Sequence, residues 1–412
     1  MSGYKFDRSH ELFKEAARYI PGAIPGHMTP AITVPGSFPY FAEKAKGCHY
    51  WDVDGNEYID FLCGYGPIIL GHQHPKVDEA VRKQQAKGSC FNHPSELQVK
   101  AAKMMVETIP IADWAIFAKN GSDVTTWTVQ VAREATQRDG VIMCRGGYHG
   151  THAWCTPGHG GLTTSDRVDV HMVTWNDLED FKAVIKENKG EIAAFITSPY
   201  HHPNFADQEM PAPDYWSSIR RLCDEEGIKI IVDDVRAGFR LNIGGSCEYF
   251  GFKPDMICFS KAIANGYPLS AAVGTEEMKL AASKVFFTGS FWASAIELSA
   301  MLATIEEMKA TNAIEKIFKM GTRLQEGLRA LATDNGLKVS VTGPPSIPYM
   351  KFANEKDFRR MQLFSAEATK NGAFIHPHHN WFISAAHEEK DVDEALAICD
   401  KAFAVVKKEF GS

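Results

Sequence analysis

Short apolar strands that alternate with helices constrain the fold of this chain more than any other feature of its sequence. Ile228 to Val232 and Met256 to Phe259 are apolar along their whole length, which is typical of strands buried on both faces. Helical segments such as Tyr215 to Glu226 lie between such strands. The alternation predicts an α/β fold in which helices cover both faces of a mostly parallel sheet.

Both of these strands end on residues that can carry chemistry. Asp233 and Asp234 follow the first strand, and Ser260 and Lys261 follow the second. Ligands of open α/β sheets bind at the carboxyl ends of strands. A desolvated lysine is a usable nucleophile, and a carboxylate can pair with a protonated ring nitrogen, as pyridoxal phosphate (PLP) requires. The alternative is structural: an acid that caps a helix and a solvated surface lysine.

Composition excludes several classes of function. The 412 residues carry a formal net charge of −7 with no basic run, which argues against nucleic acid as a partner. No stretch of about twenty apolar residues occurs, so no membrane span is expected. Nine scattered cysteines without a CxxC pair favour buried thiols in a reducing compartment, and a cytoplasmic location is expected. The histidine clusters, His72/His74, His201/His202 and His376/His378/His379, lack metal-ligand spacing, so no metal is expected.

Two further segments follow predicted strands and suit a phosphate or a planar ring. Asn120-Gly121-Ser122-Asp123 opens a helix, where free backbone N–H groups and the helix dipole favour an anion. A plain N-cap at Ser122 or Asp123 is the alternative. Tyr148 lies in a glycine-rich run after the strand Val141 to Arg145. Its ring can stack on a planar cofactor or serve only in packing.

The rest of the chain predicts a second, smaller lobe. Residues 23–38 form a loop or arm, His49 to Phe61 form a hairpin, and a helical pattern from Ala293 to Thr333 is interrupted near Asn312. The last hundred residues mix helices with short strands, one of them Trp381 to Ser384, which is typical of an α+β lobe. The predicted parts are an N-terminal arm and hairpin that joins the small lobe (1–64), a large domain (65–310) and a C-terminal small α+β domain (311–412).

Several segments resemble a known family over nearly the whole chain. They include Trp51 to Asp60, Gly66 to His72, Tyr148-His149-Gly150, Gly238-Phe239-Arg240 and the run from Asp233 to Lys261. The chain resembles the fold-type I PLP enzymes of the class III aminotransferase group, and within it glutamate-1-semialdehyde 2,1-aminomutases. The resemblance implies a PLP-binding domain with a mostly parallel seven-stranded sheet and a small α+β lobe.

The resemblance also implies roles for individual residues. Lys261 would form the Schiff base with PLP and carry protons, and Asp233 would keep the ring nitrogen protonated. The other cofactor contacts implied are Gly121 and Ser122 at the phosphate, Val235 and Tyr148 on the two ring faces, and His149 beside them. Ser290 falls where the family has a threonine that reaches the phosphate of the neighbouring subunit, which implies a homodimer with shared active sites.

Departures from the family pattern bear on the substrate. The segment Pro377 to Trp381 lacks the acid that faces the substrate of the aminomutases, so glutamate semialdehyde is not expected. Arg236 follows Asp-Asp-Val, where the aminomutases have an uncharged residue. It could bind a substrate carboxylate or pair with Asp234. Tyr65, Arg236 and His378 are the candidate substrate contacts.

These features predict a PLP-dependent aminotransferase, with pyridoxamine phosphate as the second form of the cofactor. An amino donor and an oxo acceptor, both small molecules, would be its partners, and the sequence identifies neither. Two other reactions on the same scaffold remain alternatives: an internal amino shift, and racemisation or epimerisation of an amino acid. A cofactor-free binding protein that kept the fold is a third.

Overall fold

The computed structural model describes residues 4–29 and 37–411. Residues 30–36 of the predicted arm lie outside the described residues. The described chain forms two compact units. The small unit takes its residues from 1–74, 204–208 and 312–412, and the large unit comprises residues 75–203 and 209–311. None of the described helices has the length and apolar character needed to cross a membrane.

Strands and helices alternate through the middle of the chain. The strands are β1 (Ala42–Lys46), β2 (His49–Asp52), β3 (Glu57–Asp60), β4 (Trp114–Ala118), β5 (Gly140–Cys144), β6 (Val170–Val173), β7 (Ile192–Thr197), β8 (Lys229–Asp233), β9 (Met256–Phe259), β10 (Ser270–Gly274), β11 (Val339–Thr342), β12 (Tyr349–Phe352) and β13 (Ala373–Phe374). The α-helices are α1 (Asp7–Tyr19), α2 (Pro75–Gln85), α3 (Glu96–Thr108), α4 (Gly121–Thr136), α5 (Leu178–Glu187), α6 (Tyr215–Glu226), α7 (Ser246–Phe250), α8 (Glu276–Lys284), α9 (Ala295–Ala310), α10 (Ala313–Asp334), α11 (Arg359–Lys370) and α12 (Glu389–Phe410).

Seven strands of the large unit form one sheet, in the order β4-β10-β9-β8-β7-β5-β6. Neighbouring strands from β9 to β6 are parallel, whereas β10 is antiparallel to both β4 and β9. The predicted α/β fold with a mostly parallel seven-stranded sheet is confirmed. Because β8 and β9 are parallel neighbours, Asp233 at the end of β8 and Lys261 just after β9 lie at the same edge of the sheet.

Helix α4 is buried against one face of this sheet. Its residues Val124, Trp127 and Val131 belong to one buried cluster with Ile196 of β7 and Ile231 of β8. Each such side chain contributes roughly 1.5–3 kcal/mol by leaving water. The packing fixes the direction of α4, and therefore the position of the Asn120-to-Asp123 turn from which α4 begins.

The small unit contains the predicted hairpin. Strands β1, β2 and β3 are antiparallel neighbours, and β13 joins β3 in parallel. The turn between β2 and β3 is held by Asp52, whose carboxylate accepts hydrogen bonds from the backbone N–H of Asn56 at 2.8 Å and from the hydroxyl of Tyr58 at 2.7 Å. Strands β11 and β12 form a second antiparallel pair.

The predicted strand from Trp381 to Ser384 is wrong. The segment is fully buried but belongs to no sheet. Its backbone N–H groups turn to different neighbours: Trp381 donates to the carbonyl of Pro348, Phe382 to that of Phe61, and Ile383 to that of Ser346. The apolar sequence reflects burial between two segments, which a strand in a sheet and an irregular buried segment share.

A glycine in α10 provides a stability prediction. A Cβ on Gly321 would overlap the backbone carbonyl of Pro345, whereas a Cβ on Gly327, in the same helix, would meet only the end of the Leu396 side chain. We expect Gly321→Ala to lower the free energy of unfolding by about 1–3 kcal/mol, because the backbone at Pro345 must shift. Gly327→Ala should cost less, because Leu396 can rotate and alanine favours a helix. Equal losses in denaturant unfolding of the two variants would contradict this.

Candidate active site

Lys261 begins a short 3-10 turn immediately after the buried strand β9. Its backbone has a φ of +50°, a conformation that non-glycine residues adopt rarely and that costs about 1–3 kcal/mol. The side chain is half-buried. Burial, followed by the positive charge of Arg236, lowers the pKa of the Lys261 amine to about 7. A substantial fraction of this amine is therefore uncharged and nucleophilic near neutral pH.

Asp233 lies at the end of β8 with both carboxylate oxygens engaged. Oδ1 accepts the backbone N–H of Val235 at 3.1 Å, and Oδ2 lies 2.8 Å from Nδ1 of His149. The Asp233 side chain is 8% exposed and that of His149 is 1% exposed. These two contacts fix the orientation of a buried carboxylate, and they leave it further lone pairs for a ligand.

The turn that opens α4 packs closely on the residue after Asp233 and Asp234. A Cβ on Gly121 would lie 3.1 Å from both methyl groups of Val235, so only glycine allows this approach without displacement. The N-cap of α4 is Asn120 and not Ser122 or Asp123; Asp123 is the third residue of the helix, and its carboxylate accepts the backbone N–H of Asn120 at 2.8 Å in a capping box. The binding of a phosphate by Gly121 and Ser122 stays a prediction.

The segment that carries Tyr148 and His149 is anchored to the start of α4. The hydroxyl of Thr125 donates to the carbonyl of His149 at 2.7 Å, and the backbone N–H of Thr151 donates to Oγ of Ser122 at 3.1 Å. The Tyr148 ring is 45% exposed. The structure thus brings the Tyr148 segment, the helix turn and the carboxylate at the end of β8 into one neighbourhood of the large unit.

Arg236 and Asp234 are both buried beside this neighbourhood. Arg236 donates to the backbone carbonyl of His202 at 2.9 Å. Asp234 accepts from the backbone N–H of Ser246 at 2.8 Å and from its hydroxyl. Burial raises the pKa of Asp234 to about 7, although the Ser246 hydrogen bonds act in the opposite direction. Both Arg236 and Asp234 therefore have structural partners, and a substrate role for Arg236 stays a prediction.

The remaining predicted site residues are Ser290 of the large unit and Tyr65 and His378 of the small unit. Ser290 is exposed in the loop between α8 and α9. Tyr65 belongs to the small unit, where its hydroxyl donates to the carbonyl of His27 at 2.9 Å and its ring lies 5.2 Å from that of His379. His378, also in the small unit, stacks on Phe205 with ring centroids 4.7 Å apart. Burial lowers the pKa of His378 to about 4, so this ring is neutral.

One group of potential metal ligands occurs among the described residues: Cys48, His49 and Asp391 of the small unit. These side chains contact one another directly. Cys48 Sγ lies 3.3 Å and His49 Nε2 lies 3.4 Å from the Asp391 carboxylate, which also accepts the backbone N–H of Glu388 at the start of α12. A helix cap and its hydrogen-bonded neighbours account for this group without an ion.

Two buried residues near His149 were not predicted as site residues from the sequence. Tyr200 and His202 come after strand β7, and their rings meet edge to face with centroids 5.0 Å apart. The sequence could have identified both residues, because polar residues that follow a buried parallel strand are the pattern that identified Asp233 and Lys261.

Comparison with known proteins gives a consistent set of matches. The family model described as Aminotransferase class-III matches residues 33–388. An aminopentol aminotransferase from Sphingopyxis macrogoltabida is 39% identical, covering 98% of this chain and 96% of that protein. A 3-aminobutyryl-CoA aminotransferase from Cloacimonas acidaminovorans is 36% identical, covering 98% of both. A glutamate-1-semialdehyde 2,1-aminomutase from Syntrophobacter fumaroxidans is 32% identical, also covering 98% of both.

A solved structure is similar over the whole fold. The PLP internal aldimine form of the FumI protein of Sphingopyxis sp. MTA144 superimposes with a TM-score of 0.96, at 39% identity and over 98% of both chains. Identity to the two aminotransferases exceeds identity to the aminomutase.

Proposed function

This chain belongs to the class III aminotransferase family, and from that premise we propose that Lys261 and Asp233 are the residues with which it transfers amino groups. The enzyme is a PLP-dependent aminotransferase. One observation supports this assignment above the others. A lysine with a lowered pKa and a buried, doubly anchored carboxylate end two parallel neighbouring strands of one sheet.

The residues around this pair fit PLP. The Gly121 turn stands at the N-terminus of α4, where free backbone N–H groups favour a phosphate, and a Cβ at Gly121 would press on the Val235 methyl groups at 3.1 Å. When bound, PLP supplies the carbonyl that captures an amine and the ring that accepts electrons. Gly121 and Ser122 would hold the phosphate, and Tyr148 and Val235 would contact the two faces of the ring.

The protein groups act on protons. Lys261 would hold the cofactor through its amine and, once the substrate amine has displaced it, would carry a proton to and from the carbon that bears the substrate nitrogen. The Asp233 carboxylate would hold a proton at the ring nitrogen, because an ionised oxygen close to that nitrogen favours its charged form. His149 would keep this carboxylate in place through the 2.8 Å contact.

A homodimer in the cytoplasm is part of the same proposal. The loop that carries Ser290 exposes two aromatic rings, Phe286 at 86% and Phe291 at 64%. Large exposed apolar patches mark protein–protein contacts, and a second copy of the chain would cover these two rings. The nine cysteines are free thiols, and all but Cys90 are buried, which suits a reducing compartment.

The amino donor is proposed to carry no carboxylate on the carbon that bears the amine. The names of the two aminotransferase relatives describe such amines, an aminopentol and a 3-aminoacyl thioester. The buried Arg236 already donates to the His202 carbonyl, and the rings of Tyr65 and His378 are uncharged.

A donor screen tests both parts of the proposal. The PLP-loaded enzyme is given pyruvate as acceptor together with either an amino alcohol or the α-amino acid of the same chain length. Nitrogen should appear in alanine, and kcat/KM should be at least about tenfold higher for the amino alcohol. Preference for the α-amino acid would refute the substrate class. Isomerisation of a single amino-carbonyl compound without an acceptor would instead indicate an aminomutase.

A further inference from the structure

A small, partly enclosed cavity lies beside His149, the residue that contacts Asp233. Its volume is about 10 Å³, and its walls include Cys144, Gly147, His149, Thr197, Tyr200 and His202. A space of this size holds about one water molecule. A buried water persists where two to four polar groups surround it, whereas an apolar cavity of the same size stays dry.

Three buried polar atoms from this wall have no hydrogen-bond partner among the described residues. They are Nε2 of His149, the hydroxyl of Tyr200 and Nε2 of His202. The residues that carry them are 1%, 0% and 8% exposed. Buried polar atoms in folded proteins nearly always have a partner, and an ordered water supplies it where the protein does not.

We propose that this cavity binds one ordered water, which bridges His149 to Tyr200 and His202 and holds His149 in the tautomer that donates to Asp233. An ionised Asp233 only accepts hydrogen bonds, so Nδ1 of His149 must carry the proton. A neutral imidazole then has an unprotonated Nε2, which needs a donor. The water donates to this atom and accepts from the Tyr200 hydroxyl.

The neighbouring groups are consistent with such an orientation of the water. Burial is the main reason that the pKa of His202 lies well below its usual value, so its ring is neutral and adds no charge to the cavity. Burial also keeps the Tyr200 hydroxyl protonated by raising its pKa. The chain from Tyr200 through the water and His149 to Asp233 is thus made of one donor and one acceptor at each step.

His149 is therefore a positioning residue, and the water stabilises the tautomer that the contact with Asp233 requires. The water site itself does not depend on the proposed function, but its effect on turnover rests on that function. Removing the water should let Nδ1 of His149 lose its proton to Nε2 in part of the molecules. Asp233 would then lose a hydrogen-bond donor, and the pH at which a cofactor ring nitrogen beside it loses its proton would change.

Crystal structures of the apoprotein and of the PLP-loaded enzyme test the water site directly. One density peak is expected in the cavity, at about 2.7–3.2 Å from Nε2 of His149. An empty cavity, or a direct bond from Nε2 to Tyr200, overturns the proposal. A protein that does not bind PLP would defeat the proposed function instead, and the apoprotein structure would still decide on the water.

Two variants test the link to Asp233. Tyr200→Phe removes one hydrogen-bond partner of the water. Gly147→Ala places a Cβ 3.1 Å from Nε2 of His149, where this Cβ displaces the water. In both, the pH at which the bound cofactor's visible absorbance titrates should shift by about one unit, and kcat should fall about tenfold with little change in KM. Tyr249→Phe, at an exposed tyrosine of the same unit, should leave both unchanged. A wild-type titration in Tyr200→Phe and Gly147→Ala overturns the proposed link.

Discussion

Replacement of Lys261 by alanine is expected to lower turnover by a factor on the order of 10⁴ or more, because it removes the nucleophile and the proton carrier together. The wild-type amine has its pKa lowered to about 7, chiefly by burial. Capture of the cofactor aldehyde should therefore become faster as the pH rises through 7, since the uncharged amine is the reactive form. Single-turnover kinetics of the variant and the pH dependence of cofactor capture by the wild type measure these effects.

Two further experiments show whether the loss of turnover is due to the missing Lys261 amine. Lys253→Ala removes an exposed lysine from the turn that leads into β9 and should retain wild-type turnover. In Lys261→Ala, a small primary amine added to the buffer should restore part of the proton transfer, because the deleted side chain leaves room for it. Turnover of Lys261→Ala within tenfold of the wild type would refute the assigned role.

Most strands of the large sheet could be predicted from the sequence because they are short and largely apolar, whereas β6, which contains His171 and is mostly half-buried, was not predicted. Strands β7 and β9 are buried on both faces, a position that favours uniformly apolar runs such as Met256 to Phe259. Strand β1 was not predicted, since Ala42 to Lys46 is charged and mostly exposed. An exposed edge strand of this kind shows no alternation of apolar and polar residues in its sequence. Its place in the sheet follows from antiparallel pairing with β2.

The site was predictable to the extent that it follows from strand ends. Asp233 and Lys261 could be placed together because parallel neighbouring strands end at one edge of a sheet. The contact between His149 and Asp233 joins residues 84 positions apart, and no local pattern reports it. The cavity beside Tyr200 and His202 depends on the fit of several segments, which a single sequence without a structure does not specify.

Replacement of Asp233 by asparagine should lower kcat by a factor on the order of 10² or more, because a neutral amide cannot hold the ring nitrogen in its charged form. The fold should survive, since the asparagine oxygen can still accept the N–H of Val235 or of His149. The expected signature is therefore a loss of kcat and a changed pH titration of the cofactor absorbance, with a melting temperature close to that of the wild type.

Asp234→Asn is the matched comparison, because it alters the adjacent buried acid. Asp234 accepts two hydrogen bonds from Ser246, so this variant should lower the melting temperature while it retains the cofactor titration of the wild type. Opposite responses of the two variants would separate an acid that acts on the cofactor from one that supports the fold. A normal kcat in Asp233→Asn, or the same spectral change in both variants, would show that the charge at the end of β8 does not act on the ring nitrogen.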